Sequence, residues 1–509
     1  MVVDFPSARV YHVSRIENRR LSAFGRIGCA WSGEMFLRII SCLLLVLCLH
    51  ESGWGEIRVT PDVEVPAQEH GSSEARASSP EHSDRNAFPA SSGAAQEAVQ
   101  EKNDTSDPLT AERQELLRIY EPKRKREEEL MMSKIQILDR RAAAMWMSGF
   151  LSDKPLNCPL GERAGWIEVI LQAVERNDLP ICKEILGLVA TIISIESGFH
   201  ADPPCVDPAR GQDMASAIDR AEKQFLAQMG PVMSIPLVSQ LYDRYREKYL
   251  PSLLACVTEG QVDTLARQIS EDLKRDSTKL PDFVRKIVDR ELDQLRHVVR
   301  TKGSMQLNFP RARRVMQDRG ERFSDEELCS YMYSKLGGVD VGVAALKPMF
   351  VQYAANFAQP GDLSWLFLVG MDYHYGPFSS RNMMEQIRIR DLANKKIALD
   401  GDFLHYDTHA CPVTKDSETL LATVSLFPGV PKREIFKAFL LEKEPHYIYT
   451  DLHVAIADAH RERFGETPFA AVGDVRVGEN AKIKHGFTWR TKSYLKKLDR
   501  YLNSIPWDN

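Results

Sequence analysis

The sequence predicts a mainly α-helical protein, and three observations support that prediction. From Gly161 onward, apolar residues recur three or four positions apart, which is the spacing of a buried helix face. The segment Ser324-Asp325-Glu326-Glu327 has the residues of a capping box at a helix start. In contrast, 472–484 is the only candidate for a β-hairpin. We therefore expect helices to form the core, with no large sheet.

The composition is that of a globular protein without an obvious charged partner. The chain has 509 residues, 43% hydrophobic and 27% charged, which is enough for one large or two ordinary domains. Its formal net charge of −5 gives no general attraction to nucleic acid or to anionic membrane. No groove-binding motif, Walker loop or G-x-G-x-x-G fingerprint is present in the sequence. We therefore expect no nucleic-acid partner and no cofactor.

The N-terminal region predicts export. A mostly apolar run at 39–49 follows an Arg and precedes the small residues of Gly53-Trp54-Gly55, as in a signal peptide. Such a run is too short to span a bilayer comfortably. Residues 1–34 form an unusually long polar lead, so translation is expected to start at Met35. Lipidation at Cys42 is an alternative that would anchor the chain to a membrane, and in either case the predicted location is the periplasm.

Three further segments follow the lead and signal peptide, which together occupy 1–55. Residues 56–109 are rich in Ser, Ala, Glu and Pro, with almost no aromatic residues, which is typical of a disordered linker. Residues 110–160 are highly charged and helical in pattern, and the charge run at 123–129 is interpreted as a solvated helix face. The folded domain is assigned to 161–509.

The cysteine and histidine patterns do not predict a metal site. Six cysteines follow the signal peptide and would meet an oxidising compartment, where disulfides form. They are Cys158, Cys182, Cys205, Cys256, Cys329 and Cys411. None belongs to a C-x-x-C pair, so they are interpreted as buried thiols or as disulfides of unknown connectivity. His405 and His409 lack an apolar helix face and a third ligand, so two surface histidines are expected.

A single carboxylate ends the apolar helical run that starts near Pro180. The apolar positions at helical spacing are Ile181, Ile185, Leu188, Val189, Ile192 and Ile195. Glu196 follows them, and Gly198 is suited to a helix end. Burial and the negative end of the helix dipole both disfavour an ionised carboxylate, and a neutral carboxylic acid can donate a proton. The alternative is a Glu turned to solvent at a helix end.

Four motifs in one order favour the catalytic interpretation of Glu196. They are Glu196-Ser197-Gly198-Phe199, Gly303-Ser304-Met305-Gln306, Gly342-Val343-Ala344-Ala345-Leu346 and Tyr373-His374-Tyr375-Gly376. The series resembles that of soluble lytic transglycosylases, whose motifs run as E-S-x-F, G-x-M-Q, G-x-x-Y-L and Y-N-x-G. The resemblance implies a lysozyme-like catalytic core, here with a large helical insertion at about 207–300.

A second resemblance covers residues 161–503. The chain resembles an uncharacterised family of exported proteobacterial proteins, the domain of unknown function 1615, whose members are often described as lipoproteins. The segments that carry this resemblance, besides the Glu196 motif and Met305-Gln306, are Arg163-Ala164-Gly165-Trp166, Ser380-Arg381-Asn382 and Leu399-Asp400-Gly401-Asp402. Three departures from the transglycosylase pattern are the long gap before Gly303, Ser304 at a usually aliphatic position, and His374 at a position that usually holds Asn.

The first resemblance also implies a reaction and a partner. Glu196 would cleave the bond between N-acetylmuramic acid and N-acetylglucosamine in the glycan strands of peptidoglycan. It would act first as acid and then as base, without metal or cofactor, and leave 1,6-anhydro ends. Residues with implied supporting roles are Ser197, Met305, Gln306, Tyr373 and His374.

These supporting roles differ in kind. Ser197 and Gln306 would hydrogen-bond the sugar, and Met305 would line an apolar wall beside the acid. Tyr373 would orient the acid through its hydroxyl, and His374 would contact the sugar or the acid. Each also has a simpler explanation, since Ser197 suits a helix end and the others suit core packing.

Two alternatives stay open. Hydrolysis would need a second carboxyl group roughly 5 to 9.5 Å from the first, and Asp202, Asp207 and Asp219 are the nearest candidates in the sequence. A non-catalytic glycan-binding or envelope scaffold protein on the same fold is the other class of function. The sequence does not indicate an oligomeric state.

Overall fold

A computed structural model describes most of the chain from residue 108 onward. The described residues are 108–152, 156, 158–206, 213–219, 222–223, 236–277, 299, 301–359, 364–406, 412–413, 416–465 and 489–505. The predicted signal peptide, most of the predicted linker, the 472–484 hairpin candidate, Asp207 and His409 lie outside them. Over the described residues the fold is mainly α-helical, as predicted.

The helices are numbered here in chain order. They are α1 Pro108–Lys134, α2 Arg140–Phe150, α3 Arg163–Arg176, α4 Lys183–Glu196, α5 Pro236–Leu254, α6 Glu259–Ser277, α7 Phe309–Asp318, α8 Asp325–Met332, α9 Lys335–Phe357, α10 Ser364–Tyr375, α11 Ser379–Ala393, α12 Glu418–Leu426, α13 Lys432–Phe439, α14 Asp451–Phe464 and α15 Trp489–Asn503. Two short 3₁₀ helices, Leu160–Glu162 and Pro445–Tyr449, connect some of them.

Within the described ranges, four two-residue strands form two antiparallel hairpins. Strand β1, Thr301–Lys302, pairs with β2, Leu307–Asn308, and β3, His405–Tyr406, pairs with β4, Pro412–Val413. The expectation that 472–484 is the only hairpin candidate is therefore wrong. Strands of two residues are too short to show an alternating pattern, and the first hairpin is defined by its turn.

Helix α9 is the centre of the main hydrophobic core. It packs against α1, α3 and α10, and it also contacts α4, α7 and α8. Its residues are buried almost without interruption from Gly337 to Ala355. Burial on all sides is expected for a hydrophobic helix in the middle of a large domain. Through α4, α7 and α10, this helix connects the elements that carry the predicted site.

Helix α4 is buried from Ile185 to Ile193, as its apolar sequence predicts. It packs against α2, α3, α9, α10 and α15. It begins at Lys183 rather than near Pro180, because Cys182 has the extended backbone of a residue before a helix, with φ −141° and ψ 159°. Its C-terminal residue is Glu196, so the predicted position of this carboxyl group at the helix end is confirmed.

The glycine pair Gly337-Gly338 does not end a helix. Helix α8 ends at Met332, and the Ser334 side chain caps α9 by accepting a hydrogen bond from the Gly337 amide at 3.0 Å. A Cβ on Gly337 would lie 1.9 Å from the carbonyl oxygen of Tyr331. The pair is therefore needed for the close approach of α9 to the preceding helix. The capping box at Ser324 is present, as predicted.

A second, smaller core lies among α11, α12, α13 and α14. Beside it, Arg381 of α11 is 2% exposed and is the centre of a buried polar network. Its guanidinium donates to the side chains of Gln352 and Asn382 and to the carbonyl oxygens of Glu442 and Glu444, at 2.7 to 3.2 Å. All five N–H groups of the arginine thus have a partner, which is what a buried cation requires. We call this set the Arg381 network.

Asp372 connects α10 to the start of α11. Its carboxylate is fully buried and accepts hydrogen bonds from the Ser380 amide at 2.8 Å and from the hydroxyls of Ser380 and Tyr353, both at 2.5 Å. The Tyr353 hydroxyl in turn accepts from the Arg381 amide at 3.3 Å. These bonds fix the end of α10 two residues before His374.

The five cysteines that the structure describes are buried and not joined in disulfides: Cys158, Cys182, Cys205, Cys256 and Cys329. For these five, the alternative of buried thiols is the one observed. Within the described ranges, no group of three or more His, Cys, Asp or Glu side chains is placed to hold a metal ion. None of the described helices is long and apolar enough to cross a membrane.

Candidate active site

The turn after α4 presents Glu196 at the edge of the core. The amide of Gly198 donates to the carbonyl oxygen of Ile193 at 3.0 Å, which closes the helix. Gly198 and Phe199 then take left-handed conformations, with φ of 62° and 65°, and turn the chain. Phe199 is buried with its ring edge against Trp166, at a centroid distance of 5.5 Å. The Glu196 side chain remains 17% exposed, so its carboxyl group is accessible at an otherwise apolar helix end.

His374, near the end of α10, lies against this carboxyl group. Its Nδ1 is 3.1 Å from Oε1 of Glu196. The imidazole stacks on the Tyr494 ring of α15, with centroids 4.2 Å apart and planes inclined by 13°. It also meets Tyr375 edge to face at 5.9 Å. The Tyr494 hydroxyl donates to the carbonyl oxygen of Gly370 at 3.0 Å, so the stacking ring is itself held in place.

Tyr373 connects the neighbourhood of the acid to the turn between β1 and β2. Its hydroxyl donates to the carbonyl oxygen of Met305 at 2.9 Å, so the hydrogen expected to orient Glu196 is used elsewhere. Burial raises the pKa of Tyr373; the Arg311 guanidinium opposes this rise and the Glu196 carboxylate adds to it. Arg311 donates to the carbonyl oxygens of Tyr373 and Ala345, both at 3.1 Å. Tyr373 therefore holds the motif turn close to the acid.

Met305 lies fully buried between this turn and α9. A Cβ at Gly342 of α9 would lie 2.3 Å from the Met305 sulfur, so only glycine leaves enough room. The second and third motifs of the sequence therefore pack directly on each other. The side chain of Met305 faces the core, while its carbonyl oxygen faces Tyr373.

Gln306 has an internal partner for each hydrogen of its amide. Nε2 donates to Oε2 of Glu259 at 2.9 Å and to the carbonyl oxygen of Gly303 at 3.1 Å, and Oε1 accepts from the Thr301 hydroxyl at 2.7 Å. Its backbone is left-handed, with φ 50°, a conformation that is strained for a non-glycine residue and often found at functional sites. Gln306 thus maintains the shape of the turn, and a sugar would have to replace one of these partners to bind it.

The remaining sequence candidates have structural partners. The Ser197 hydroxyl donates to the carbonyl oxygen of Ile193 at 3.1 Å and closes α4. Asp202 accepts from the Thr258 hydroxyl at 2.6 Å and from the Gly260 amide at 2.8 Å, which caps the start of α6. Asp219 forms an exposed ion pair with Lys223 at 2.8 Å. Each of the two described aspartates therefore has a contact that explains it without Glu196.

Glu259 is a second buried carboxyl group beside the motif turn. It is 8% exposed and lies at the first position of α6. Burial raises its pKa to about 8. The Gln306 amide and the Lys302 ammonium oppose this rise, whereas the carboxylates of Asp202 and Asp263 add to it. Lys302 and Asp263 form a fully buried ion pair with each other. Helix α6, which belongs to the predicted insertion, is thus joined to the turn that carries Met305 and Gln306.

Two residues of this site carried no signal in the sequence. Tyr494 lies on a basic helix more than a hundred residues after His374, and Glu259 lies inside the predicted insertion. Both reach the site only through tertiary contacts, the ring stack on His374 and the hydrogen bond from Gln306. A local motif search cannot find them, because neither has a characteristic spacing to Glu196.

One comparison with known proteins gives a match. Residues 160–502 match the model of a family described as "Protein of unknown function (DUF1615)". This range covers well over half of the chain and includes Glu196, the β1–β2 turn and His374. No curated protein and no solved structure matches the chain.

Proposed function

Because the chain belongs to the DUF1615 family, whose description assigns no activity, we propose its function from its own site: it is a lytic transglycosylase of peptidoglycan, with Glu196 as acid and base. The observation that supports this most is the meeting of three motifs at one carboxyl group. His374 lies 3.1 Å from Glu196, and Tyr373 joins the same place to Met305 at 2.9 Å. More than a hundred residues separate the first motif from the second, so this meeting is not a consequence of sequence proximity.

The proposed reaction needs one acid and no water. Glu196 protonates the oxygen that links C1 of N-acetylmuramic acid to N-acetylglucosamine, and the C1–O bond breaks. The resulting carboxylate then takes the proton of the C6 hydroxyl of the same muramic acid, whose oxygen attacks C1. A C1–O6 bond forms, the proton returns to Glu196, and the product has a 1,6-anhydro end. The single accessible carboxyl group at the end of α4 suits this double role.

Two features assist the acid in this proposal. With a hydrogen on Nδ1, His374 donates to Oε1 of Glu196 and leaves Oε2 to exchange the proton with the sugar. The stack on Tyr494 fixes the imidazole during both steps. The attacking hydroxyl belongs to the bound sugar, so the reaction benefits from proximity rather than from an activated water.

The proposal includes a place and a partner. The signal-peptide pattern before residue 55 supports export to the periplasm, where peptidoglycan glycan strands are the substrate. Lipidation at Cys42 would hold the enzyme at a membrane, with the segment at 56–109 as a spacer. Of the three sequence candidates for a second carboxyl group, the two that the structure describes, Asp202 and Asp219, have other partners, which favours transglycosylation over hydrolysis by either of them.

Digestion of purified sacculi tests this function. The secreted chain is incubated with sacculi, and released muropeptides are measured by mass spectrometry. We expect release by the natural protein and by Glu184→Gln, a matched change of another glutamate on the same helix, but not by Glu196→Gln. No release by the natural protein contradicts the proposal. If the protein pelleted with sacculi without cleaving them, the non-catalytic glycan-binding function would replace it.

A further inference from the structure

A cleft of about 770 Å³, lined mostly by residues that carry polar groups, lies at α6 and the turn between α8 and α9, outside the site of Glu196. Ligand sites commonly have volumes of roughly 300 to 1,000 Å³. Helix α6 contributes Gln261, Thr264 and Gln268, and the segment around the α8–α9 turn contributes Ser330 and Tyr333. None of these residues has a role in the reaction proposed above.

Two buried polar atoms on the cleft residues have no hydrogen-bond partner in the described part of the chain. They are the hydroxyl of Tyr333 and Nε of Arg267. A buried hydroxyl without a partner costs free energy, and such atoms in a native fold call for an explanation. The rest of the Arg267 guanidinium is held in place, by Glu326 at 3.2 Å and Thr264 at 3.3 Å. The Arg267 guanidinium therefore has two protein contacts besides its unpartnered Nε.

The chemistry of the lining selects a neutral ligand with hydroxyl and amide groups. The uncharged polar residues of the cleft are Ser252, Gln261, Thr264, Gln268, Ser330 and Ser334. The charged side chains there are one cation, Arg267, and one carboxylate, Asp202, so there is no excess charge to attract a phosphate. Ala255, Cys256 and Leu265 are the lining residues without a strongly polar side chain.

The cleft is also connected to the motif turn. Asp202, one of its lining residues, accepts from the amide of Gly260, another. The residue before Gly260 is Glu259, which accepts the hydrogen bond from Gln306. A ligand in the cleft would therefore contact the same helix start that supports the turn beside Glu196.

We propose that this cleft is a second saccharide-binding site, which takes a glycan of N-acetylated amino sugars through Tyr333, Arg267 and the amides of α6. The polarity of the cleft gives the chemical class, and the choice of an N-acetylated glycan rests on the proposed function. Such a site would hold a glycan strand at a distance from the bond that is cleaved. It would also make the inserted helix α6 part of substrate recognition.

Hydrogen exchange measured by mass spectrometry tests this site with the N-acetylglucosamine tetramer as probe. The Glu196→Gln chain is used, so that no cleavage occurs. We expect the probe to protect the peptides that contain 252–268 and 330–334. In Tyr333→Phe, affinity measured from this protection should fall about tenfold, with no loss of thermal stability, because the hydroxyl has no protein partner to lose.

A bulky residue gives a second variant for the same test. Thr264 is exposed, so Thr264→Trp should fill the cleft and abolish the protection there without disturbing the core. Glu271→Trp, two turns further along α6 and outside the cleft, is the matched control and should keep it. Absence of protection in the natural cleft, or protection that survives Thr264→Trp, overturns the proposal. Either result is separate from sacculus cleavage, which depends on Glu196.

Discussion

The Glu196 site and the Arg381 network differ in how their polar groups are satisfied. In the network, Arg381 is 2% exposed and all five of its N–H groups are paired within the protein. At the site, Glu196 is 17% and His374 30% exposed in their side chains, and the structure gives Glu196 a hydrogen bond to His374. The first arrangement has no capacity left for a ligand. The second has one carboxyl oxygen that can meet a substrate.

Helix α10 serves both regions. Asp372 points into the buried network and binds Ser380 and Tyr353, while His374, two residues later, reaches Glu196. This contrast shows that a charged residue in a family motif need not be catalytic. Ser380-Arg381-Asn382 supports the fold, and the pair at the end of α4 and α10 is where chemistry is expected.

The strongest test of this contrast is Arg381→Met. It leaves the side-chain oxygens of Gln352 and Asn382 without their donor. Each buried acceptor that loses its donor typically costs roughly 1 to 3 kcal/mol, so the two together cost about 2 to 6 kcal/mol. We expect that loss in the free energy of unfolding by urea, or no soluble protein at all. Arg390→Met, at a partly exposed arginine of the same helix that pairs with Asp391, should cost less than about 1 kcal/mol.

Glu196→Gln should show the opposite behaviour. Release of muropeptides should fall by about 10² to 10⁴-fold, the usual contribution of a general acid or base. The free energy of unfolding should change by less than about 1 kcal/mol, because the side chain is partly exposed and a Gln can still accept from His374. A large loss of stability in this variant would remove the distinction between the two regions.

Glu259 is buried like Arg381 but lies beside the Glu196 site. The pH dependence of stability in Glu259→Gln therefore tests a residue that has features of both regions. The folded protein keeps the Glu259 proton up to about pH 8, whereas a Glu in the unfolded chain loses its proton at about pH 4.3. Between these values unfolding releases a proton, so the free energy of unfolding falls as pH rises and levels off above about pH 8.

Glu259→Gln removes this dependence. Relative to the natural protein, the variant should gain stability steadily from about pH 5 to pH 8, by roughly 4 kcal/mol at about 1.36 kcal/mol for each pKa unit. Thermal or urea unfolding at several pH values measures the difference in the free energy of unfolding between the variant and the natural protein. If this difference does not change with pH, Glu259 is ionised in the folded protein, contrary to its burial beside Asp202 and Asp263.

His374 variants should have the smallest effect. His374→Asn keeps a side-chain donor for Oε1 of Glu196 but loses the stack on Tyr494, so the rate should fall only a few-fold. His374→Leu loses the donor as well. Its rate should fall by about tenfold or more, because hydrogen bonds to charged groups are worth roughly 1.5 to 3 kcal/mol. Equal rates for both variants would show that the hydrogen bond to Glu196 is not used.

The sequence predicts those parts of the fold that depend on local signals. The apolar run of α4 and the capping box of α8 are local, and these helices form where the patterns indicate. Gly337-Gly338 shows the limit of such signals. A glycine that ends a helix and a glycine that lets two helices approach look the same in one sequence.

The candidate site is predictable only in part, for a physical reason. Glu196 is found because its helix is apolar, and His374 because of its motif. Neither spacing nor periodicity indicates that Tyr494 stacks on His374 or that Glu259 binds Gln306, since these contacts depend on tertiary packing. The sequence does not predict the burial of Arg381 either, because a single sequence does not distinguish a buried arginine from one on the surface.

Digestion of sacculi in water enriched in heavy oxygen distinguishes attack by the C6 hydroxyl from attack by water. If the C6 hydroxyl attacks C1, as proposed for Glu196 acting alone, the new muramic acid ends carry no heavy oxygen and are lighter by one water than reducing ends. Mass spectrometry of the released muropeptides distinguishes the two products. One heavy oxygen at each new muramic acid end would show that water attacks C1, and would contradict the account.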